Sequence, residues 1–247
     1  MVDNIVFAPA RDSFPTIKAL CNLSHRLYDS DKLCMGTIEL STQNLEVAGQ
    51  FMYSFRIAFF GGIILAFPLI INQIWLFVKP ALSPKEIRSS RWFTIYTTFL
   101  FLTGVLFGYY MLAPISLNFF GNYRLSDAIE NKFSFQSVIN LVTTLSLSTG
   151  FLFQLPVLMY FVARLGLINS AFLKKNRRYA LVIIIILAAV ATPPDVLSQF
   201  LLAMPLILLY EIGIRVVKNV ERKELKSLNS LLSDFPHSKY GVSDTPD

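Results

Sequence analysis

IAFFGGIILAFPLIINQIWLFV, residues 57–78, runs for 22 residues without one charged side chain. At about 1.5 Å of helix rise per residue it reaches about 33 Å, enough to cross the roughly 30 Å hydrocarbon core of a bilayer. Two longer uncharged blocks follow, 32 residues at 92–123 and 31 residues at 133–163. Two shorter ones, 16 residues at 179–194 and 15 residues at 196–210, are separated only by Asp195. Fifteen residues reach only about 22 Å, so this pair reads as a short hairpin that local thinning of the bilayer accommodates. Composition agrees, with 54% hydrophobic and only 15% charged residues and a mean hydropathy of +0.54. Soluble domains carry about 25% charge, so a water-soluble globule is excluded.

The expected fold class is therefore all-α: a polytopic membrane bundle of five transmembrane helices, at about 51–78, 92–115, 136–163, 179–194 and 196–214. Residues 1–50 form a tail outside the membrane domain of 51–218, and 219–247 a charged tail expected to fray or be disordered. Pro68, Gly104, Gly108, Pro114, Pro156 and Pro205 interrupt the spans. Lipid-embedded helices tolerate such residues because neighbouring groups re-satisfy the freed backbone, and kinks result. Several kinked helices predict a cupped bundle.

The net charge of +6 is informative through its placement. Fifteen of the 22 Lys and Arg residues fall in two inter-span loops and after the last span. Lys79, Lys85, Arg88 and Arg91 occupy the first loop, and Arg164, Lys174, Lys175, Arg177 and Arg178 the second. The positive-inside rule puts these loops and the C-terminus in the cytoplasm, with the N-terminal stretch outside. The charge is thus a topology signal and not a nucleic-acid surface.

That topology requires about 50 polar residues to cross the membrane with no signal peptide or apolar run ahead of them. Such a segment normally follows an upstream hydrophobic helix, so the reading expects an earlier transmembrane helix that this chain lacks. Unassisted translocation of the tail is the alternative. Both cysteines, Cys21 and Cys34, lie in the tail. In an oxidising compartment they can form a disulfide worth about 3 kcal/mol of loop closure, and two free thiols are the alternative. A second external loop is expected over about 116–135, with Ser126 and Asp127 suited to capping a short helix.

Polar residues at membrane depth are costly and mark candidate sites. Gln154 lies near the middle of the third span, and Asn72 and Gln73 late in the first. Thr192 and Asp195 sit at the hairpin tip, Gln199 just beyond, and Glu211 at the far end beside Arg215. Asp195 follows two prolines and suits an N-cap. The sequence shows no paired carboxylates, no Ser/His/Asp set and no glycine-rich phosphate loop. His25 and His237 are isolated, so no metal site, cofactor or enzymatic activity is expected. A small-solute transporter or channel would need a polar path with charged midplane residues, which one glutamine does not supply.

Particular strings then matter more than periodicity. The segment FPLIINQIWLFVKPALSPKEIR (residues 67–88) resembles the second helix and first cytoplasmic loop of the TatC family, the membrane receptor of twin-arginine protein translocation. The likeness continues in order through FLTGVLFGYYMLAPISLNF, GFLFQLPV, KKNRRYALV and ATPPDVLSQFLLAMPLILLYEIGI. The tail, with FPTIKALCNLSHRL, is similar to the extended first external loop of Bacteroidetes members. Family members have six helices, of which this chain would supply the last five, and an ELR-type N-terminal segment that is absent here.

The resemblance implies a non-enzymatic translocase subunit of the bacterial inner membrane, assembled in several copies. Glu86 matches the acidic residue that recognises the paired arginines of the signal peptide, and Phe77 an aromatic of the same docking surface. Thr192, Asp195 and Gln199 match the polar cluster where single-helix TatA and TatB partners dock. Gln154 occupies a position that is commonly glutamate. Glutamine keeps the hydrogen bonding and carries no charge, so a proton-dependent role there is not expected.

Overall fold

The computed structural model describes residues 8–10, 14–16, 42–43, 47–78, 90–123 and 133–234. In chain order the main helices are α1 (Gly49–Val78), α2 (Ser90–Phe107), α3 (Ala113–Asn122), α4 (Phe135–Leu152), α5 (Leu155–Arg164), α6 (Ser170–Lys175), α7 (Arg177–Ala191) and α8 (Val196–Asp234). Two-residue strands, β1 (Thr42–Gln43) and β2 (Phe133–Ser134), pair in parallel.

Four of the described helical stretches are long and apolar enough to cross a membrane: Gly49–Phe77, Phe93–Asn122, Phe135–Arg164 and Val196–Lys223. The fifth expected span is α7, a helix of only 15 residues. The five-span expectation thus resolves into four full-length helices and one short one, and it is corrected at the last helix: expected to be as short as α7, α8 is full-length because its apolar face continues past Glu211 through Ile214, Val217 and Val220. The exposed large side chains along α1, among them Phe55, Phe59, Leu65 and Leu69, form a surface suited to lipid. The bundle's inner seam holds Leu112, Val138, Leu145, Leu202 and Leu206, all essentially inaccessible.

Kinks fall where the sequence removes helical hydrogen bonds. Pro114 has no N–H and its ring crowds the carbonyl four residues back, at Tyr110. The helix widens ahead of it into a π turn over Gly108–Leu112, in which the Ala113 N–H reaches the Gly108 carbonyl. Pro156, at the start of α5, marks a second break. There α4 ends, Phe153 and Gln154 form a turn, and the Gln154 carbonyl accepts from Val157 and Leu158. Close approach of α2 to α4 depends on glycine. A Cβ on Gly108 would lie 2.8 Å from the Leu145 carbonyl oxygen and the Ser146 Cα, and one on Gly104 2.8 Å from the Thr149 carbonyl oxygen.

Gly166 ends α5 with φ +71°. Its N–H donates to the Ala163 carbonyl and the Leu167 N–H to that of Val162, so the last carbonyls of α5 are satisfied by a left-handed cap.

Two further sequence expectations change. The second external loop is shorter than 116–135, because α3 continues to Asn122 with Ser116, Leu117 and Asn118 buried. The helix-capping pair Ser126 and Asp127 lies outside the described residues. The charged tail expected from residue 219 does not fray there: α8 continues to Asp234, packed through buried Val217 and Val220 and tied by Glu221 bonding to Ser170. Glu211 pairs with Arg177, which opens the adjacent helix α7.

Candidate functional site

The bundle has two polar ends. One, the tip end, holds Thr192–Gln199. The other, the basic end, holds Arg164, Lys174–Arg178 and Lys218.

At the tip, α7 stops where Pro193 and Pro194 cannot continue it. The Thr192 N–H and hydroxyl both donate to the Ala188 carbonyl at 2.9 Å, closing the last turn. Asp195 then starts α8 by accepting the Ser198 N–H on Oδ1 at 2.6 Å. Its Oδ2 accepts from the Ser116 hydroxyl at 3.5 Å, and the Ser116 and Ser198 hydroxyls meet at 2.7 Å. Asp195 is 2% exposed and both serines are fully buried. The expected cap is present, and it also bolts the hairpin to α3.

Thr192 and Asp195 therefore face inward, whereas Gln199 lies at the surface. The Gln199 amide donates to the Ile185 carbonyl of α7 at 3.3 Å, tying the two hairpin helices together. Around it the hairpin presents Ile185, Val190, Leu197, Phe200 and Met204, all exposed. A cleft of about 330 Å³ opens beside this face, lined by Ile115, Asn118, Phe119, Asn122, Tyr123 and Leu197.

Midway through the bundle, the Gln154 amide donates to the Thr97 carbonyl at 3.3 Å. Gln154 Oε1 and the hydroxyl of fully buried Thr97 have no hydrogen-bond partner among the described residues. Gln154 is thus an interhelical tie between α2 and the α4–α5 break.

At the basic end, Trp75 turns into the bundle and stacks on Phe93 at 4.3 Å, while Phe77 points outward and is 84% exposed. Glu86, Cys21 and Cys34 lie outside the described residues. Sequence reasoning missed Ser116 and Ser198. Ser198, three residues after a Pro-Pro-Asp start, carried a local signal as a capping partner, while Ser116 is brought to it only by folding.

An all-α membrane bundle of this kind, with a cleft at one end and a basic rim at the other, defines a polytopic helical membrane protein without a catalytic constellation among the described residues. The family model for TatC, the Sec-independent protein translocase protein, matches residues 4–205. The chain belongs to the TatC family. It is 37% identical to a Sec-independent protein translocase protein TatC of Blattabacterium, over 90% of this chain and 84% of that one. A TatC of Helicobacter pylori strain J99 is 38% identical over 68% of both chains. A crystal structure of the twin-arginine translocase receptor TatC superposes with a TM-score of 0.63, at 28% identity, covering 87% of this chain and 89% of that one.

Proposed function

We propose that this chain is the receptor subunit of a twin-arginine translocase, binding twin-arginine signal peptides at its basic end, on the cytoplasmic face of the bacterial inner membrane. It recruits single-helix TatA- and TatB-type partners, which move folded cargo across the membrane on the proton gradient. The family membership over residues 4–205 supports this reading. The observation that carries it is Phe77, an aromatic 84% exposed in the last turn of α1, nine residues before Glu86 in the sequence.

A carboxylate at Glu86 would pair with guanidinium groups bidentately, a geometry that lysine cannot reproduce. Phe77 would take the apolar part of the peptide beside it. Partner helices would dock on the hairpin face around Gln199, with Thr192 and Asp195 holding its shape from within. This chain makes and breaks no covalent bond in that cycle.

The test is site-specific photo-crosslinking from positions 77 and 86 to a twin-arginine signal peptide in membrane vesicles. Adducts from both positions, lost when the two arginines become lysines, are expected. Crosslinking indifferent to that change would sink the proposal.

A further inference from the structure

The segment between α5 and α7 is held from one side and cationic on the other. Glu221 of α8 accepts the Ser170 N–H at 2.6 Å and also the Ser170 hydroxyl. The Tyr210 hydroxyl donates to the Leu173 carbonyl at 3.0 Å, and Asn169 Oδ1 accepts the Phe172 N–H at 2.7 Å. Arg177 is engaged by Glu211. These contacts fix the backbone of α6 and the first turn of α7 against α8.

Outward from this fixed backbone stand Lys174, Lys175 and Arg178, all exposed, flanked by Phe172 and Tyr179 at 54% and 72% exposure. The two acidic side chains described beside this loop, Glu211 and Glu221, are both occupied as above. Lys174, Lys175 and Arg178 consequently have no acidic partner among the described residues. From Ala180 onward α7 is uninterruptedly apolar, so these cations sit at the level where a bilayer's headgroups begin. Leu165 and Leu167, exposed at the end of α5, extend the same rim with apolar surface.

We infer that this rim, Phe172 to Tyr179, is a binding site for the headgroup of an anionic phospholipid, such as phosphatidylglycerol or cardiolipin. The three free cations neutralise the lipid phosphate, while the two aromatic rings lie against its glycerol and upper acyl region. Two features favour lipid over a soluble acidic partner: exposed aromatic side chains flank the cations at the headgroup level, and the cations sit at the start of an apolar helix. Because α8 already holds the backbone in place, little ordering is needed on binding. Each Lys or Arg at an anionic surface strengthens attachment by about fivefold.

The experiment is native mass spectrometry of the full-length chain in neutral detergent, titrated with cardiolipin, phosphatidylglycerol or phosphatidylcholine. Selective retention of the anionic lipids is expected. The triple variant Lys174→Gln/Lys175→Gln/Arg178→Gln should lose roughly a hundredfold in affinity, about fivefold for each cation. Removing the same charge from exposed positions of α8, with Arg215→Gln/Lys218→Gln/Arg222→Gln, should cost no more than a few-fold. Phe172→Ser/Tyr179→Ser, which keeps every cation, should also weaken binding. If the triple variant fails to fold, Arg178→Gln alone should show about the fivefold loss of one cation. Equal losses from the two triple variants would reduce the effect to net charge and overturn the site, as would binding of phosphatidylcholine equal to that of the anionic lipids.

Discussion

The Thr16 hydroxyl donates to the backbone carbonyl of Tyr110, an acceptor whose helical partner four residues on is Pro114. A proline inside an apolar span leaves that oxygen without an N–H, and hydrocarbon offers no substitute. Here the tail supplies the donor. Phe14 reinforces it, buried between Tyr109 and Tyr110 with ring centroids at 5.9 and 5.4 Å. A polar segment before the first span thus completes the hydrogen bonding of the second.

Thr16→Val should lower thermal stability in detergent by an amount corresponding to about 1 kcal/mol, the usual worth of one hydrogen bond with a stranded acceptor. In a Pro114→Ala background, the restored N–H can serve the Tyr110 carbonyl, and the same substitution should cost clearly less. Equal costs in the two backgrounds would show that Thr16 acts on something other than this oxygen.

Asp195→Ala removes the N-cap of α8 and the acceptor for Ser116 together. Loss of a cap alone costs about 1–2 kcal/mol, and two buried serine hydroxyls are left to satisfy each other. The thermal midpoint of the detergent-solubilised chain should fall, whereas Asp195→Asn, which keeps Oδ1 for the Ser198 N–H, should fall by less than half as much. An alanine variant as stable as the parent would show that the tip is not held by this residue.

Glycine substitutions should divide sharply by location. Gly108→Ala places a Cβ 2.8 Å from backbone atoms of Leu145 and Ser146, which cannot move independently of α4. Gly61→Ala meets nothing within 4 Å. The first should destabilise the bundle or abolish accumulation in the membrane. The second should be neutral or stabilising, by up to about 1 kcal/mol of helix propensity. Comparable behaviour of the two would contradict the close packing of α2 on α4.

The spans were legible because a bilayer imposes one dominant requirement, an uncharged run of sufficient length, and residues 57–78 state it openly. Asp195 as a cap was legible for a similar reason, since Pro-Pro-Asp is a local signal. What the linear sequence concealed were pairings between distant segments. Ser116 with Asp195, Thr16 with Tyr110 and Arg177 with Glu211 depend on which helices become neighbours. The extent of α8 was obscured differently. Its charges after Arg215 resemble a solvated tail, yet Val217 and Val220 keep one apolar stripe at helical spacing against the bundle. At the candidate docking face, the motif around the tip named three residues together, but the helix start turns Thr192 and Asp195 inward and leaves Gln199 at the surface.

That division yields a prediction for partner recruitment. If single-helix partners dock on the hairpin, a photo-reactive residue at Gln199, or at its exposed neighbours Phe200 and Met204, should capture a TatA- or TatB-type partner in vesicles containing the whole translocase. The same group at Asp195 should give no partner adduct, because that side chain is 2% exposed and packed on Ser116. Gln199→Ala should weaken recruitment several-fold with little effect on thermal stability, since its one bond to the Ile185 carbonyl is at the surface. Asp195→Ala should lower both together, its effect on recruitment passing through the shape of the hairpin. Adducts from position 195 with none from 199 would invert this assignment and place the partner within the tip instead of against its outer face.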